Sequence, residues 1–363
     1  MINRCAIIGV GLMGGSMALA INERKLAQTI VGCDINQDNI KMALAAGAIH
    51  ESARPETAVR NAGLVILATP VGTTTAILRE IKDCLNPGTV VTDLGSTKQA
   101  VVEQAEEIIP GGWFVGGHPM AGAETSGFNG ADPYLFENAY YLLTPTHATN
   151  PAALNIVRKL AGAIGALVVE MSPSRHDLIA ATISHLPHLV AAALVDAVAV
   201  MPDGESALAF AAGGFRDTTR IAAGSPEMWR DIFLSNHIRI LDALGFYRRA
   251  IDEMELAIKN RDGRRIYELL SHAGNLRKGL PVKSKGYLPN IYEVVVTVPD
   301  RPGIIAMLAG LLGDAGVNIC EIEILRAREG YGGTIRIGFA TPEEQQRAIE
   351  LLQEKNIRCR RKG

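Results

Sequence analysis

The sequence lacks a dominant charge. Its 36 lysines and arginines stand against 38 aspartates and glutamates, a formal net charge of −2, so there is no basic excess to hold nucleic acid or an anionic membrane surface. Any anionic ligand must therefore be caught by a local cluster of cations. Cysteine is scarce as well. Cys5, Cys33, Cys84, Cys320 and Cys359 form no CxxC pair, which argues against a zinc site and a disulfide scaffold and points to a reducing cytoplasm. A clean membrane-length apolar run is also missing. The longest stretch, LPHLVAAALVDAVAVM, carries His188 and Asp196, falls short of the roughly 20 clean residues a bilayer span needs, and reads as a buried helix. The opening MINRCAIIGVGLMGGSMALA has the early Arg4, apolar run and small residues of a signal peptide, but its glycines fall where another motif explains them better.

What is present is ample core material. Hydrophobic residues make up 48% of the 363 positions and charged residues 20%, too much for one ordinary core and enough for two or three domains. Arg4-Cys5-Ala6-Ile7-Ile8 is a short apolar strand that runs into Gly9-Val10-Gly11-Leu12-Met13-Gly14 and then the helical pattern SMALAINERKL. This is G-x-G-x-x-G between a strand and a helix. Glycine serves a tight turn at the first position, close approach of a pyrophosphate at the second, and helix packing at the third. A second strand, IVGCD, ends in Asp34, about twenty residues past Gly14, where a carboxylate receives ribose hydroxyls and repels a 2′-phosphate, favouring NAD over NADP. AGLVILATPV, ending in Thr69 and Pro70, and TVVTDLGSTK, ending near Ser96, continue the alternation, and the strand-like AYYLLTP and ALVVEMSP close it. Six strands with helical stretches between them predict an α/β, doubly wound parallel sheet over residues 1–172 with ligands at the carboxyl ends.

From residue 173 to 280 the period turns helical. SRHDLIAATISHLPHLVAAALVDAVAVM places Asp177 and His188 nearly on one face, with His185 flanking and Pro187 set to disturb the helix. The two histidines invite a metal reading, but no HExxH motif accompanies them and only Asp177 stands near, so no metal is expected. A packed structural pair and a substrate-facing pair remain open. GGFRDTTRIAAGSPEMWRDIF then sets Arg216, Arg220 and Arg230 around a glycine-bearing turn close to Trp229. Such a fork-shaped donor suits a carboxylate, while a surface ion pair is the alternative for any one of the three. LRKGLPVKSKGYLPN contains the linker, residues 281–290. Residues 291–363 then read as strand, helix, two strands, helix and strand, a ferredoxin-like βαββαβ order.

Together GVGLMGGS, TDLGSTK at 92–98, GGHPMAGAETSG at 116–127, SHLPH at 184–188 and GGFRDTTRIAAGSPEMWRDI at 213–232 resemble the prephenate dehydrogenase family of tyrosine biosynthesis. The resemblance implies a Rossmann-type NAD-binding domain, an all-α domain that makes an intertwined homodimer, and oxidative decarboxylation of prephenate to 4-hydroxyphenylpyruvate, carbon dioxide and NADH. His118 would accept the proton of the 4-hydroxyl, with Ser96 orienting the imidazole and touching both cofactor and substrate. Arg220 would hold a substrate carboxylate and His188 would donate, while Asp177, His185, Gly213 and Trp229 would shape the pocket. Gly9, Gly11, Leu12, Met13, Gly14, Asp34, Thr69, Pro70 and Ser96 would line the NAD site. DRPGIIAMLAGLLGDAGVNI looks like the opening of an ACT domain, with Asp300, Pro302, Gly303 and Asn318 around an amino-acid ligand; tyrosine, as a feedback inhibitor, is the expected one, and a purely structural tail is the alternative. Three other functions share part of this pattern. Arogenate dehydrogenase shares the motifs, whereas a β-hydroxyacid dehydrogenase would need a lysine in the helical segment and none occurs between Lys159 and Lys259. A non-catalytic NAD or amino-acid sensor would not require His118, Ser96 and Arg220 together.

Overall fold

A computed structural model describes residues 2–122, 125–279, 292–299, 301–325 and 333–362. The chain divides into two compact units, Met1–Leu276 and Arg277–Gly363. The nucleotide and helical segments thus share one unit.

Eight strands build the sheet of the first unit: β1 (Ile2–Ile8), β2 (Ala27–Cys33), β3 (Glu51–Ser52), β4 (Leu64–Leu67), β5 (Val90–Asp93), β6 (Phe114–Pro119), β7 (Tyr140–Thr144) and β8 (Leu167–Glu170). Their spatial order is β3-β2-β1-β4-β5-β6-β7-β8. Neighbours run parallel except β6 and β7, which are antiparallel. The strand order reverses between β1 and β4, which opens a crevice at their carboxyl ends. Both faces are covered, so the strands alternate between two cores rather than between core and water. Cys5, Ile7, Leu64 and Ile66 enter one layer, and Ala6, Ile8, Val65 and Leu67 the other.

Two of these strands exceed the six expected from sequence. β3 is only two residues long, and β6, FVGGHP, carries two glycines where a strand normally carries bulk. His118 therefore lies in a strand: β6 meets β5 at Phe114 and Val115, and His118 itself pairs with Leu142 of β7.

The helical segment begins with Pro173–Ala180, passes through a π turn at Ala181–His185, and continues as Leu186–Ala199. Pro187 has no amide hydrogen to give, and the register slips in the turn just before it. The whole run, Pro173–Ala199, is by length and composition long enough to cross a membrane, contrary to the sequence reading of its apolar core alone. Its buried His176 and Asp177 are hydrogen-bonded to the sheet segment, and its buried His185 and His188 lie further along the same helix. Helices Pro226–Ser235, His237–Lys259 and Gly263–Gly279 complete the segment. Pro226–Ser235 packs on the turn after β4: a Cβ at Gly72 would stand 3.0 Å from Asp231 Oδ2, and Thr97 Oγ1 lies 3.0 Å from Ser235 Oγ.

In the second unit β9 (Tyr292–Val298), β10 (Glu321–Leu325), β11 (Gly333–Phe339) and β12 (Arg358–Lys362) form an antiparallel sheet in the order β10-β11-β9-β12. Helices Ile304–Asp314 and Pro342–Glu354 supply Leu308, Leu312, Ala348 and Leu352 to its core. This is the expected ferredoxin-like order. Gly303 precedes the first helix with φ +87°, a conformation that favours glycine. Pro302 and Asn318 are exposed nearby. Asp300 and the linker 281–290 lie outside the described residues.

Candidate active site

Glycine does different work at each position of the first turn. Gly9 has φ +91°, and a Cβ there would stand 2.5 Å from the Ala68 carbonyl oxygen; one at Gly14 would stand 1.8 Å from the Gly9 oxygen. Both glycines are demanded by the protein's own packing. A Cβ on Gly11 would meet nothing within 4 Å, so this side of its backbone faces space that another molecule can use. The helix Leu12–Glu23 that follows has no side-chain cap at its start and no acid in its first turn, which leaves the positive end of its dipole available to a phosphate. Leu12 and Met13 are half-buried at this entrance.

Asp34, at the end of β2, is held firmly. Its Oδ2 accepts from the Val10 amide at 2.7 Å and from Asn39 Nδ2 at 3.3 Å, and its Oδ1 from the Asn36 amide at 2.7 Å. Across the crevice, Thr69 Oγ1 is buried with no hydrogen-bond partner, next to the exposed Pro70 that ends the β4 segment. An orphaned hydroxyl, a bare glycine and an uncapped helix end around one crevice fit a dinucleotide.

Deeper in the crevice, β5 and β6 carry a buried charge pair. Lys98 Nζ contacts Asp93 Oδ2, and both side chains are fully enclosed. Asp93 also accepts from the Gly95 amide at 3.0 Å and, through Oδ1, from the Gly117 amide at 3.1 Å. A Cβ on Gly117 would stand 2.7 Å from the Asp93 carbonyl oxygen, and one on Gly116 2.3 Å from Thr144 Oγ1. These two glycines let β6 close over the charge pair.

His118 follows directly. Its Nδ1 lies 2.8 Å from His176 Nε2, and His176 Nδ1 lies 2.8 Å from Asp177 Oδ1. Asp177 is anchored by the first amides of helix Gln99–Ile108: Lys98 N donates to Oδ1 at 2.7 Å and Gln99 N to Oδ2 at 2.9 Å. The sequence reading put Asp177 in the pocket wall and gave Ser96 the task of orienting His118. In the structure the carboxylate of Asp177 sits behind His176, and Nδ1 of His118 is taken by His176. Ser96 is half-buried at the end of the β5 segment.

Dense protein around the His118 ring, which keeps only a partial opening to solvent, drives its pKa well below the usual 6.5, and the neighbouring His176, Lys98 and His185 add to this. Burial lowers His176 too, against the opposing pull of Asp177. Burial alone would raise Asp177, but the His176 bond and the two backbone amides outweigh it and hold the carboxyl below its usual range. His185 falls to about 4, chiefly through burial. The cluster is thus built to stay neutral at its imidazoles and ionised at its carboxylate.

The network continues outward. Asn236 Nδ2 donates to the Asp177 carbonyl at 2.8 Å and lies 3.2 Å from His185 Nδ1. His188 stacks on Trp229 with ring centroids 3.6 Å apart and planes at 11°, while His185 meets the same indole edge-on at 6.1 Å. His188 Nδ1 and His185 Nε2 are buried without partners. Gly224 leaves room for this stack, since a Cβ there would stand 2.7 Å from Trp229 Nε1. Arg220 is exposed at the start of the short turn Arg220–Ala223, which packs on the His188 helix, and Gly213 is exposed at the start of helix Gly213–Thr219. Arg230 pairs with Asp231 at 2.8 Å, and Arg216 Nε donates to the Ala211 carbonyl at 3.0 Å. Among the described residues no group of three or more His, Cys, Asp or Glu could hold a metal.

Profiles described as "Prephenate dehydrogenase, nucleotide-binding domain", "Prephenate dehydrogenase, dimerization domain" and "ACT domain" match residues 17–170, 172–272 and 292–354. The prephenate dehydrogenase of Bacillus subtilis (strain 168) is 40% identical over 351 residues, 96% of this chain and 95% of that one. The chain belongs to the prephenate dehydrogenase family. Among solved members, the Aquifex aeolicus prephenate dehydrogenase in complex with hydroxyphenyl propionate and NAD+ superposes with a TM-score of 0.73 at 35% identity, over 77% of this chain and 98% of that one. The Synechocystis arogenate dehydrogenase does so with 0.67 at 32%, over 76% and 99%. The chain is therefore an oxidoreductase of this family, with a nucleotide-binding domain, a dimerisation domain and an ACT domain.

Within that family frame, sequence reasoning overlooked His176, Asn236 and the Asp93–Lys98 pair. Two signals were available. Asp93 and Lys98 bracket the TDLGSTK motif five residues apart, and His176 immediately precedes an aspartate that the helical periodicity had already marked.

Proposed function

We propose that this enzyme catalyses the NAD-dependent oxidative decarboxylation of prephenate to 4-hydroxyphenylpyruvate, and that tyrosine bound to the ACT domain lowers its rate. The observation that carries the reading is His118, an imidazole whose Nδ1 is held 2.8 Å from His176 Nε2 at the end of β6, beside the crevice of the nucleotide fold, where burial favours its neutral form. A base of this kind suits removal of a hydroxyl proton at neutral pH.

Gly9, Gly11, Leu12, Met13, Gly14, Asp34, Thr69, Pro70 and Ser96 would hold the dinucleotide, with Asp34 excluding a 2′-phosphate. NAD, when bound, supplies the hydride acceptor. His118 takes the hydroxyl proton as the substrate's C4 becomes a carbonyl. The ring carboxylate leaves as carbon dioxide, its bonding electrons make the ring aromatic, and His118 returns the proton to the phenolate oxygen. Arg220 binds a carboxylate of the dianion; His188 donates a hydrogen bond from a nitrogen at its ring edge while its face stays on Trp229, and His185, Gly213 and Trp229 bound the same pocket. Pro302, Gly303 and Asn318, with Asp300, form the regulatory site. The apolar helices pair two chains into a homodimer, and the enzyme works in the cytoplasm.

Arogenate is the second reading, favoured by the likeness to the Synechocystis enzyme. One assay separates the two: NADH formation followed optically from prephenate and from arogenate, each with NAD+ or NADP+, with and without tyrosine. Prephenate with NAD+ is expected to give the highest kcat/KM, and tyrosine to reduce it. Turnover of arogenate alone would replace the substrate assignment, and a preference for NADP+ would overturn the role of Asp34.

A further inference from the structure

His118 has two ring nitrogens, and the reaction above needs one of them bare. The hydrogen-bond chain behind it decides which. Asp177 is held as a carboxylate by two backbone amides and so only accepts. His176 Nδ1, 2.8 Å from Asp177 Oδ1, must therefore carry the proton. A neutral His176 then presents a lone pair at Nε2, and His118 Nδ1, 2.8 Å away, must donate to it. The rings meet edge to face with centroids 5.0 Å apart and planes at 63°, a geometry that aims one nitrogen at the other. This leaves His118 Nε2 without a hydrogen.

We propose that His176, backed by Asp177, is a positioning residue for the reaction: it fixes His118 in the Nδ1–H tautomer so that Nε2 is the base, and it shares the positive charge that arises when the substrate's proton arrives. The proposal rests on His118 being the base. Histidine in water prefers the opposite, Nε2–H tautomer, so the arrangement needs a cause, and the chain from Asp177 is that cause. When Nε2 takes the hydroxyl proton, the Nδ1–H bond to His176 strengthens, and the Asp177 carboxylate lies one imidazole further along. No bond to carbon forms in this step. One proton moves from the substrate oxygen to Nε2 and later moves back. The other charged and titratable groups facing the pair are the buried Lys98, compensated by Asp93, and His185. Asp177 is also tied to the start of helix Gln99–Ile108, which begins just after β5, so the imidazole is referenced to the sheet that carries the cofactor crevice.

The direct test is nitrogen-15 NMR of the full-length protein labelled at histidine, near neutral pH, with His118 assigned by its absence in His118→Asn. The expected spectrum has a protonated Nδ1 and a bare Nε2 at His118, and a protonated Nε2 would overturn the proposal. Kinetics give a second test. His176→Phe removes the acceptor and is expected to lower kcat for prephenate about 10- to 100-fold, with KM within about twofold. His176→Gln, whose Oε1 can still accept from His118 Nδ1, is expected to restore most of the loss. Unchanged kcat in His176→Phe would refute the positioning role, and if that variant does not fold, the wild-type spectrum decides. His118→Asn separates this idea from its parent. Full turnover there would sink both readings, whereas an inactive His118→Asn beside a fully active His176→Phe would sink only this one.

Discussion

Gly116 and Gly117 show how much of a residue's role can lie outside its local sequence. From sequence, two glycines before a histidine give no strand signal. The structure places them within β6, where Thr144 Oγ1 and the Asp93 carbonyl leave no room for a methyl group. This crowding depends on residues 24 to 28 positions away, which no local pattern reveals. It also has a measurable consequence. Gly117→Ala would force a Cβ to within 2.7 Å of a backbone oxygen that cannot swing aside, and overpacking of a closed site costs about 1–3 kcal/mol. Thermal unfolding of this variant should begin at a lower temperature than in the wild type. An unchanged midpoint would mean that β5 and β6 are less tightly apposed than described.

At the scale of elements, the strands and helices with strong periodicity were legible and the irregular ones were not. β1, β2 and β5 are apolar runs ending at Gly9, Asp34 and Asp93, β4 is one ending at Thr69 and Pro70, and their order followed from alternation with helices. β6 was invisible because glycine gives no strand signal, although it carries the residue with the most chemistry. The run Pro173–Ala199 was readable as a helix, and Asp177, His185 and His188 were marked by their spacing, whereas His176 was not. The disturbance expected at Pro187 takes the form of the π turn at Ala181–His185, while the way Asn236 joins Asp177 to His185 comes from tertiary contacts alone. This element sets the pH response. His118, His176, His185 and His188 all have pKa values lowered by burial, His185 to about 4. Below about pH 6.5 the unfolded chain binds protons that the folded chain refuses, so folding stability is fully present above that value and is lost as pH falls towards 4. Asp177, lowered as well, adds loss of the same sign at still lower pH. Urea midpoints should therefore be level from pH 7 to 8 and decline steadily from pH 6.5 to 4. A midpoint that rises on acidification would contradict the neutral, buried histidine cluster.

For the whole molecule, the three-part plan of sheet, helices and ferredoxin-like tail was legible because each part has its own hydrophobic period. The joining of the first two into one unit was not, since it depends on pairs such as Thr97 with Ser235 and Lys98 with Asp177. Phe210, Leu241 and Phe246 remain 85%, 63% and 69% exposed on a single chain, an apolar surface of the sort that a dimerisation domain covers. The chemistry converges on a smaller place, the line from Asp177 through His176 to His118 beside the dinucleotide crevice. Turnover of His118→Asn with saturating prephenate and NAD+ interrogates that line at its reacting end. A loss of kcat of about 100-fold or more, with only modest change in substrate binding, is the expected result. Wild-type kcat in this variant would contradict the assignment of His118 as the base.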